Sequence, residues 1–169
     1  MRLVILFVAA AVMALALQTG ALHWFPLGRF VPDLILILSV NLGIKHHTVL
    51  AAILAFAMGY ATDVFSGSQL GLNAFMITLV FLLSYEASRH LQVTTDLAAS
   101  IAVFFAVLIK CFGVLSLTGS FGGFLHANGA MMRMAVLQAL LTALLAPFVF
   151  ASLSGGKKLL RLPERQRED

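Results

Sequence analysis

The sequence predicts an all-α protein, a polytopic membrane bundle of six transmembrane helices. Hydrophobic residues make up 61% of its 169 residues and charged residues only 11%, against about 45–50% and about 25% in a typical soluble domain. The chain has 11 basic and 7 acidic residues, and eight of these lie between residues 157 and 169, so the first 156 residues carry ten. So few charges cannot cover a water-exposed surface, and most of the surface is therefore expected to face lipid.

Six apolar runs, separated by proline, glycine and charged residues, define the predicted helices. They cover residues 3–22, 31–44, 48–65, 70–84, 97–117 and 134–153. A full crossing needs about 20 residues, so the second and fourth runs are short enough to be tilted or re-entrant segments. Together the runs predict a transmembrane domain over residues 1–154 and a basic cytoplasmic tail over residues 155–169.

The distribution of lysine and arginine predicts the orientation. With six crossings and a cytoplasmic N-terminus, the inner side carries Arg2, Lys45, Arg89 and the five basic residues of the tail, whereas the outer side carries Arg29 and Arg133. An excess of basic residues on the cytoplasmic side is typical of membrane proteins. Both termini are therefore predicted to be cytoplasmic.

Two ionisable residues lie inside predicted helices, where charges are costly and usually face the bundle interior. Asp63 in the third helix and Lys110 in the fifth are predicted at nearly equal depth in the outer part of the bilayer, where opposite charges can pair. Asp63 continues a stripe of small residues, Ala51, Ala55 and Gly59, whose spacing of four favours close helix packing. The pair is either a purely structural ion pair or part of a partner or ligand site, unless Lys110 extends alone toward the membrane surface.

Further polar side chains fall near the same outer end. The candidate partner or cavity site consists of Asp33, Asp63, Asn73, Lys110, Arg133 and Gln138, with Gln18 and Thr142 close by. Asp33 follows Pro32, so it is equally suited to capping the start of the second helix. Asn73 and Gln138 are equally suited to hydrogen bonding between helices.

Catalytic and cofactor motifs are missing from the sequence. It has no HExxH, no GxSxG, no phosphate-binding glycine loop and no cysteine pair, which are common signatures of metal, nucleophile and phosphate sites. His46 and His47 are adjacent and would point to different sides of a helix, so they do not predict a metal site. The body of the chain has no basic cluster for nucleic acid. The sequence therefore predicts neither an enzyme nor a metal, cofactor or nucleic-acid site.

Two segments resemble the MreD family of rod shape-determining inner-membrane proteins. They are VPDLILIL at residues 31–38 and GYATDVFSGSQLGLNAF at residues 59–75. The matching residues are Pro32, Asp33, Gly59, Asp63, Gly67, Gly71, Asn73 and Ala74. The chain length, the six predicted crossings and the short basic tail also agree, whereas the last two predicted helices carry no matching motif.

The resemblance implies a non-enzymatic component of the lateral cell-wall elongation machinery in the bacterial inner membrane. Such a protein acts as an adaptor for the scaffold MreC. It works, directly or through MreC, with the actin-like MreB and with the elongation-specific transpeptidase and glycosyltransferase. The polar outer residues around Asp63, Asn73 and Lys110 would then fix the bundle and present a docking surface for MreC.

The MreD family is also similar in fold to the substrate-binding subunits of energy-coupling-factor vitamin transporters. That similarity implies an alternative function, the binding of a small vitamin-like molecule, and Ala10 and Ala14 match the Ala-x-x-x-Ala coupling motif of those subunits. The two functions make different demands. A vitamin-binding subunit needs a substantial ligand pocket, whereas an adaptor needs a lipid-facing surface for a partner's transmembrane helix.

Overall fold

The computed structural model describes residues 2–24, 32–46, 48–67, 69–90, 96–117 and 129–159. These residues form six α-helices and no strand: α1 (Arg2–Trp24), α2 (Leu34–Lys45), α3 (Val49–Ser66), α4 (Leu72–His90), α5 (Asp96–Leu117) and α6 (Gly129–Leu159). Each helix overlaps one predicted apolar run, so the all-α prediction is confirmed. Arg29, His47 and the tail from residue 160 onward lie outside the described residues.

Two helix boundaries differ from those that hydropathy predicts, and polar contacts lie at both. The second run begins at residue 31, but α2 begins at Leu34 because the Asp33 side chain caps it, accepting a backbone N–H of the first turn at 3.0 Å. The fourth run ends at residue 84, but α4 continues to His90. Glu86 in its last turns lies 3.2 Å from His90 and 3.9 Å from Arg89, and such pairs support an exposed helix end. With 19 residues, α4 is longer than predicted.

The last helix also passes a predicted boundary. It has 31 residues, contains Pro147 and ends at Leu159, whereas the transmembrane domain is predicted to end at residue 154. The division into membrane domain and tail stays a prediction.

α2 is the central helix of the fold. It contacts all five other helices, and these contact one another in the closed order α1, α3, α4, α5, α6 and back to α1. Every residue from 35 to 43 is buried, as expected for a helix enclosed on all sides. With 12 residues, α2 is about 18 Å long, which is shorter than the hydrocarbon core of a bilayer at about 30 Å.

α1 and α2 run in opposite directions. The Phe7 ring of α1 lies edge-on to His46 at the end of α2, with 5.9 Å between the ring centroids. Further along α1, the Gln18 side chain donates to the Pro32 carbonyl just before α2. The start of one helix therefore lies beside the end of the other.

α2 and α4 run in parallel and start at the same level. Ser39, five residues after the first residue of α2, donates at 3.1 Å to the carbonyl of Ile77, five residues after the first residue of α4. Four residues further along both helices, a carbon added at Gly43 would lie 2.7 Å from the Phe81 carbonyl oxygen. The starts of both helices therefore lie at one end of the bundle, named here the Asp33 end. The opposite end is named the Lys45 end.

The outer side of the ring is apolar. Large hydrophobic side chains are exposed on each ring helix and, among the described residues, none is exposed on α2. Examples are Val12, Ile53, Phe75, Phe105 and Leu144. Two segments, Val49–Ser66 in α3 and Arg133–Gly155 in α6, are long and apolar enough to cross a membrane. Six crossings remain a prediction.

α3 and α4 approach each other closely at Gly59. A side-chain carbon at this position would lie 2.6 Å from Ala74 Cα and 2.8 Å from the Asn73 carbonyl oxygen, well inside the optimal carbon separation of about 3.5–4.0 Å. Ala51 and Ala55, the other members of the predicted small-residue stripe, are buried on the same helix. The missing side chain at Gly59 therefore lets the two backbones touch.

We predict that Gly59→Ala destabilises the protein by about 1–3 kcal/mol, because the added methyl group meets the backbone of α4 rather than a movable side chain. Gly20→Ala is the matched control, since a carbon added there meets nothing within 4 Å and alanine favours the helix. Thermal unfolding in detergent measures both variants. Equal unfolding midpoints for Gly59→Ala and the wild type would contradict the close approach.

Candidate functional site

The residues before α2 form a polar cluster that joins α2 to three ring helices. The Lys110 ammonium group on α5 donates to Asp33 Oδ2. The Asp33 backbone N–H lies 3.3 Å from its acceptor, Thr142 Oγ1 on α6. The Gln18 side chain on α1 donates to the Pro32 carbonyl at 3.0 Å. We refer to these five residues as the Asp33 cluster.

Asp33 has two roles within this cluster. Its Oδ1 accepts the Leu36 backbone N–H at 3.0 Å, which makes Asp33 the N-cap of α2, while its Oδ2 binds Lys110. The free N–H groups and the dipole of a helix N-terminus stabilise a carboxylate. The side chains of Asp33 and Lys110 are only 10% and 14% exposed. Each charge therefore depends on the other for compensation.

Asp63 forms a second polar cluster with the start of α4. It is fully buried, and its carboxylate accepts the backbone N–H groups of Gly71, Asn73 and Ala74 and the Asn73 side-chain amide, at 3.0–3.1 Å. We refer to these four residues as the Asp63 cluster. Because Asp63 belongs to α3, this cap also joins α3 to α4.

The turn between α3 and α4 brings the start of α4 back to Asp63. Gly67 ends α3 with φ of +63° and Gly71 precedes α4 with φ of +93°. Both values lie in the left-handed region, which glycine adopts without strain. The chain therefore reverses within a few residues, and the first N–H groups of α4 face the last turns of α3.

The predicted ion pair between Asp63 and Lys110 is wrong. Lys110 pairs with Asp33, and Asp63 accepts hydrogen bonds from the start of α4. Depth along a helix follows from residue number, but the direction around the bundle depends on which helices are neighbours. α3 and α5 are not neighbours in the ring, so equal depth alone does not bring these two charges together.

The two remaining predicted site residues, Gln138 and Arg133, lie on α6 outside both clusters. The Gln138 carbonyl accepts the Thr142 hydroxyl at 2.7 Å, which places Gln138 one turn from the Asp33 cluster. Arg133 is exposed near the start of α6. Four of the six predicted residues therefore belong to the two clusters, Gln138 lies one turn from the Asp33 cluster, and Arg133 is exposed outside both.

Two buried polar residues of α2 were not among the predicted site residues. Ser39 donates to the Ile77 carbonyl on α4, and Asn41 is 1% exposed. Their signal in the sequence is their presence in the otherwise apolar run LILILSVNLGI of residues 34–44.

A sequence profile of a protein family, described as rod shape-determining protein MreD, matches residues 1–154 of the chain. The chain belongs to the MreD family. MreD membership implies a role in rod-shape determination and a location in a membrane, with which the two long apolar segments agree. No curated protein and no solved structure gives a significant match, so the comparisons lend no support to the vitamin-binding alternative.

In this MreD protein the two polar clusters hold helices together rather than present reactive groups. Both carboxylate oxygens of Asp33 and both of Asp63 accept hydrogen bonds from within the protein. Among the described residues, no three His, Cys, Asp or Glu side chains are placed to hold a metal ion. The geometry therefore supports a scaffold role for these acidic residues.

We predict that Asp63→Asn lowers the free energy of unfolding of the MreD protein by about 3 kcal/mol. The asparagine amide group would face N–H donors of α4 and leave them without an acceptor. Glu86→Gln is the control, because its ion pairs are exposed and worth about 0–1 kcal/mol. Unfolding in detergent measures both variants, and a loss no larger than that of the control would contradict the capping role.

A double-mutant comparison tests the Asp33–Lys110 pair. Lys110→Met should destabilise the MreD protein by about 3–5 kcal/mol, because it leaves the Asp33 carboxylate buried without its cation. Adding Asp33→Asn should recover part of this loss, since asparagine is an equally good N-cap and carries no charge. Unfolding midpoints in detergent compare the single variant with the double variant. A double variant no more stable than Lys110→Met would argue against charge compensation.

Proposed function

We propose that this MreD protein is a non-enzymatic adaptor of the bacterial cell-wall elongation machinery that binds the scaffold MreC within the inner membrane. The observation that carries the proposal is that the buried acidic residues bind groups within the protein. Asp33 and Asp63 both cap helices, and each joins its helix to a neighbour. Among the described residues, the surface that remains available to other molecules is the apolar outer side of the ring.

The proposed orientation places the Lys45 end on the cytoplasmic side. Lys45 and Arg89 are exposed at the ends of α2 and α4, and basic residues concentrate on the cytoplasmic side of membrane proteins. With six crossings, both termini are then cytoplasmic and the Asp33 end faces outward. The two polar clusters therefore lie on the side where a periplasmic scaffold would meet the protein.

A fixed outer end suits an adaptor. Contacts between transmembrane helices rely on close packing rather than on a hydrophobic driving force, so a partner helix requires a surface of constant shape. The Asp33 cluster ties α1, α5 and α6 to α2, and the Asp63 cluster ties α3 to α4. Through MreC, this surface would connect to MreB, the transpeptidase and the glycosyltransferase.

Co-purification with co-expressed MreC tests the proposal. Asp63→Asn and Lys110→Met should each reduce the MreC recovered per folded molecule by about fivefold or more, because a loss of about 1 kcal/mol of binding free energy lowers affinity about fivefold. Both variants should also disturb rod shape. Glu86→Gln, which changes only exposed ion pairs, should leave recovery and shape unchanged. No MreC with the wild type would refute the adaptor role. Normal recovery and shape in both cluster variants would refute a role for the polar clusters.

A further inference from the structure

The central helix contains a buried polar side chain whose oxygen lacks a donor in the part of the chain that the structure describes. Asn41 is 1% exposed, and its side-chain oxygen Oδ1 has no hydrogen-bond donor among the described residues. A buried acceptor left in this state destabilises the folded protein, because its lost contact with water is not replaced. Most buried polar groups in proteins are paired, so an exception calls for an explanation.

The helical register gives the direction of Asn41. Ser39 donates to a carbonyl of α4, and a carbon added at Gly43 would lie 2.7 Å from the Phe81 carbonyl, also on α4. These two positions mark the face of α2 that contacts α4. Asn41 lies two residues from each, a rotation of about 200° one way or the other. Asn41 is therefore on the face of α2 opposite α4.

The element opposite α4 in the five-helix ring is the contact between α1 and α6, named here the α1–α6 seam. The neighbours of Asn41 on α2 agree with this placement. Leu38 belongs to a core cluster that includes most of the buried residues of α1 and α3, whereas Ile37 belongs to one that includes the buried residues of α5 and most of those of α6. Residues of α4 contribute to both clusters. Asn41 follows Leu38 and Ile37 by one helical turn, so it lies between the two clusters at the seam.

The α1–α6 seam is the least extensive contact in the ring. It joins the first and last helices of the chain, which no single connecting segment links. The face of α1 that packs into the core carries the small residues Ala11 and Ala14 beside the larger Phe7 and Leu15. A polar side chain entering between α1 and α6 would therefore separate the two ring helices that contact each other least among the described residues.

We propose that the α1–α6 seam is a docking site for a transmembrane helix of a protein partner, which inserts a hydrogen-bond-donating side chain that binds Asn41 Oδ1. This inference rests on the proposed adaptor function and names its contact. The oxygen accepts only, so the inserted group is a donor such as a hydroxyl, amide or amine. Asn41 lies about 12 Å along α2 from Asp33, inside the ring, which a donor reaches by passing between α1 and α6.

Two substitutions at Asn41 and one control on the opposite face test the docking site. Asn41→Leu and Asn41→Ala remove the acceptor, whereas Ser39→Ala removes a hydrogen bond that is made within the protein. We expect both Asn41 variants to lower MreC co-purification by about three- to tenfold, as the loss of one buried hydrogen bond predicts. Asn41→Leu should unfold at or above the wild-type temperature. Ser39→Ala should unfold at a lower temperature but keep MreC.

The outcomes separate this inference from the proposed function. Wild-type protein that recovers no MreC refutes the adaptor role itself. Wild-type recovery that is retained in both Asn41 variants refutes the docking site alone. Failure of both variants to fold also refutes it, because no described residue of the isolated protein donates a hydrogen bond to Asn41 Oδ1. Native mass spectrometry tests whether the occupant is a lipid. If the Asn41 variants lose a bound lipid and keep MreC, the proposal of a protein occupant is wrong.

Discussion

A helix that begins inside an apolar bundle has N–H groups that neither lipid nor hydrocarbon side chains can satisfy. This constraint applies twice in the present fold, because α2 and α4 both start at the Asp33 end. Each start is capped by a buried carboxylate, Asp33 for α2 and Asp63 for α4. Each carboxylate also reaches a second helix, through Lys110 or through its own backbone in α3. The requirement for backbone hydrogen bonds thus determines which helices are joined.

The short central helix joins the two core clusters of the bundle. α2 has 12 residues and contributes side chains to both core clusters, so it serves as the axis around which the ring closes. Because every ring helix contacts α2, a shift of one ring helix changes a contact at the centre. The outer faces remain apolar and exposed. The exposed apolar surface therefore belongs to the ring helices, whereas α2 and its caps hold these helices in place.

Hydropathy and residue spacing predict the helices and the end of the bundle at which the polar residues gather. They do not predict which residues each carboxylate binds, because a carboxylate at a given depth has several helices within reach. Asp63 finds donors eight to eleven residues further along the chain, whereas Asp33 binds a lysine 77 residues away. The first contact follows from the turn with Gly67 and Gly71, which the sequence displays. The second depends on the order of helices in the ring, which a single sequence does not contain.

Satisfied and unsatisfied buried polar groups carry different information about this protein. Asp63 is as buried as a side chain can be, yet its four hydrogen bonds explain its presence without any outside molecule. Asn41 is buried to almost the same extent, and no described residue donates a hydrogen bond to its oxygen. Leucine at this position would have a similar volume and no such cost, so folding alone gives no reason for asparagine. A reason exists if the donor belongs to another molecule, and the helical register turns Asn41 toward the side of α2 where the least extensive contact of the ring lies.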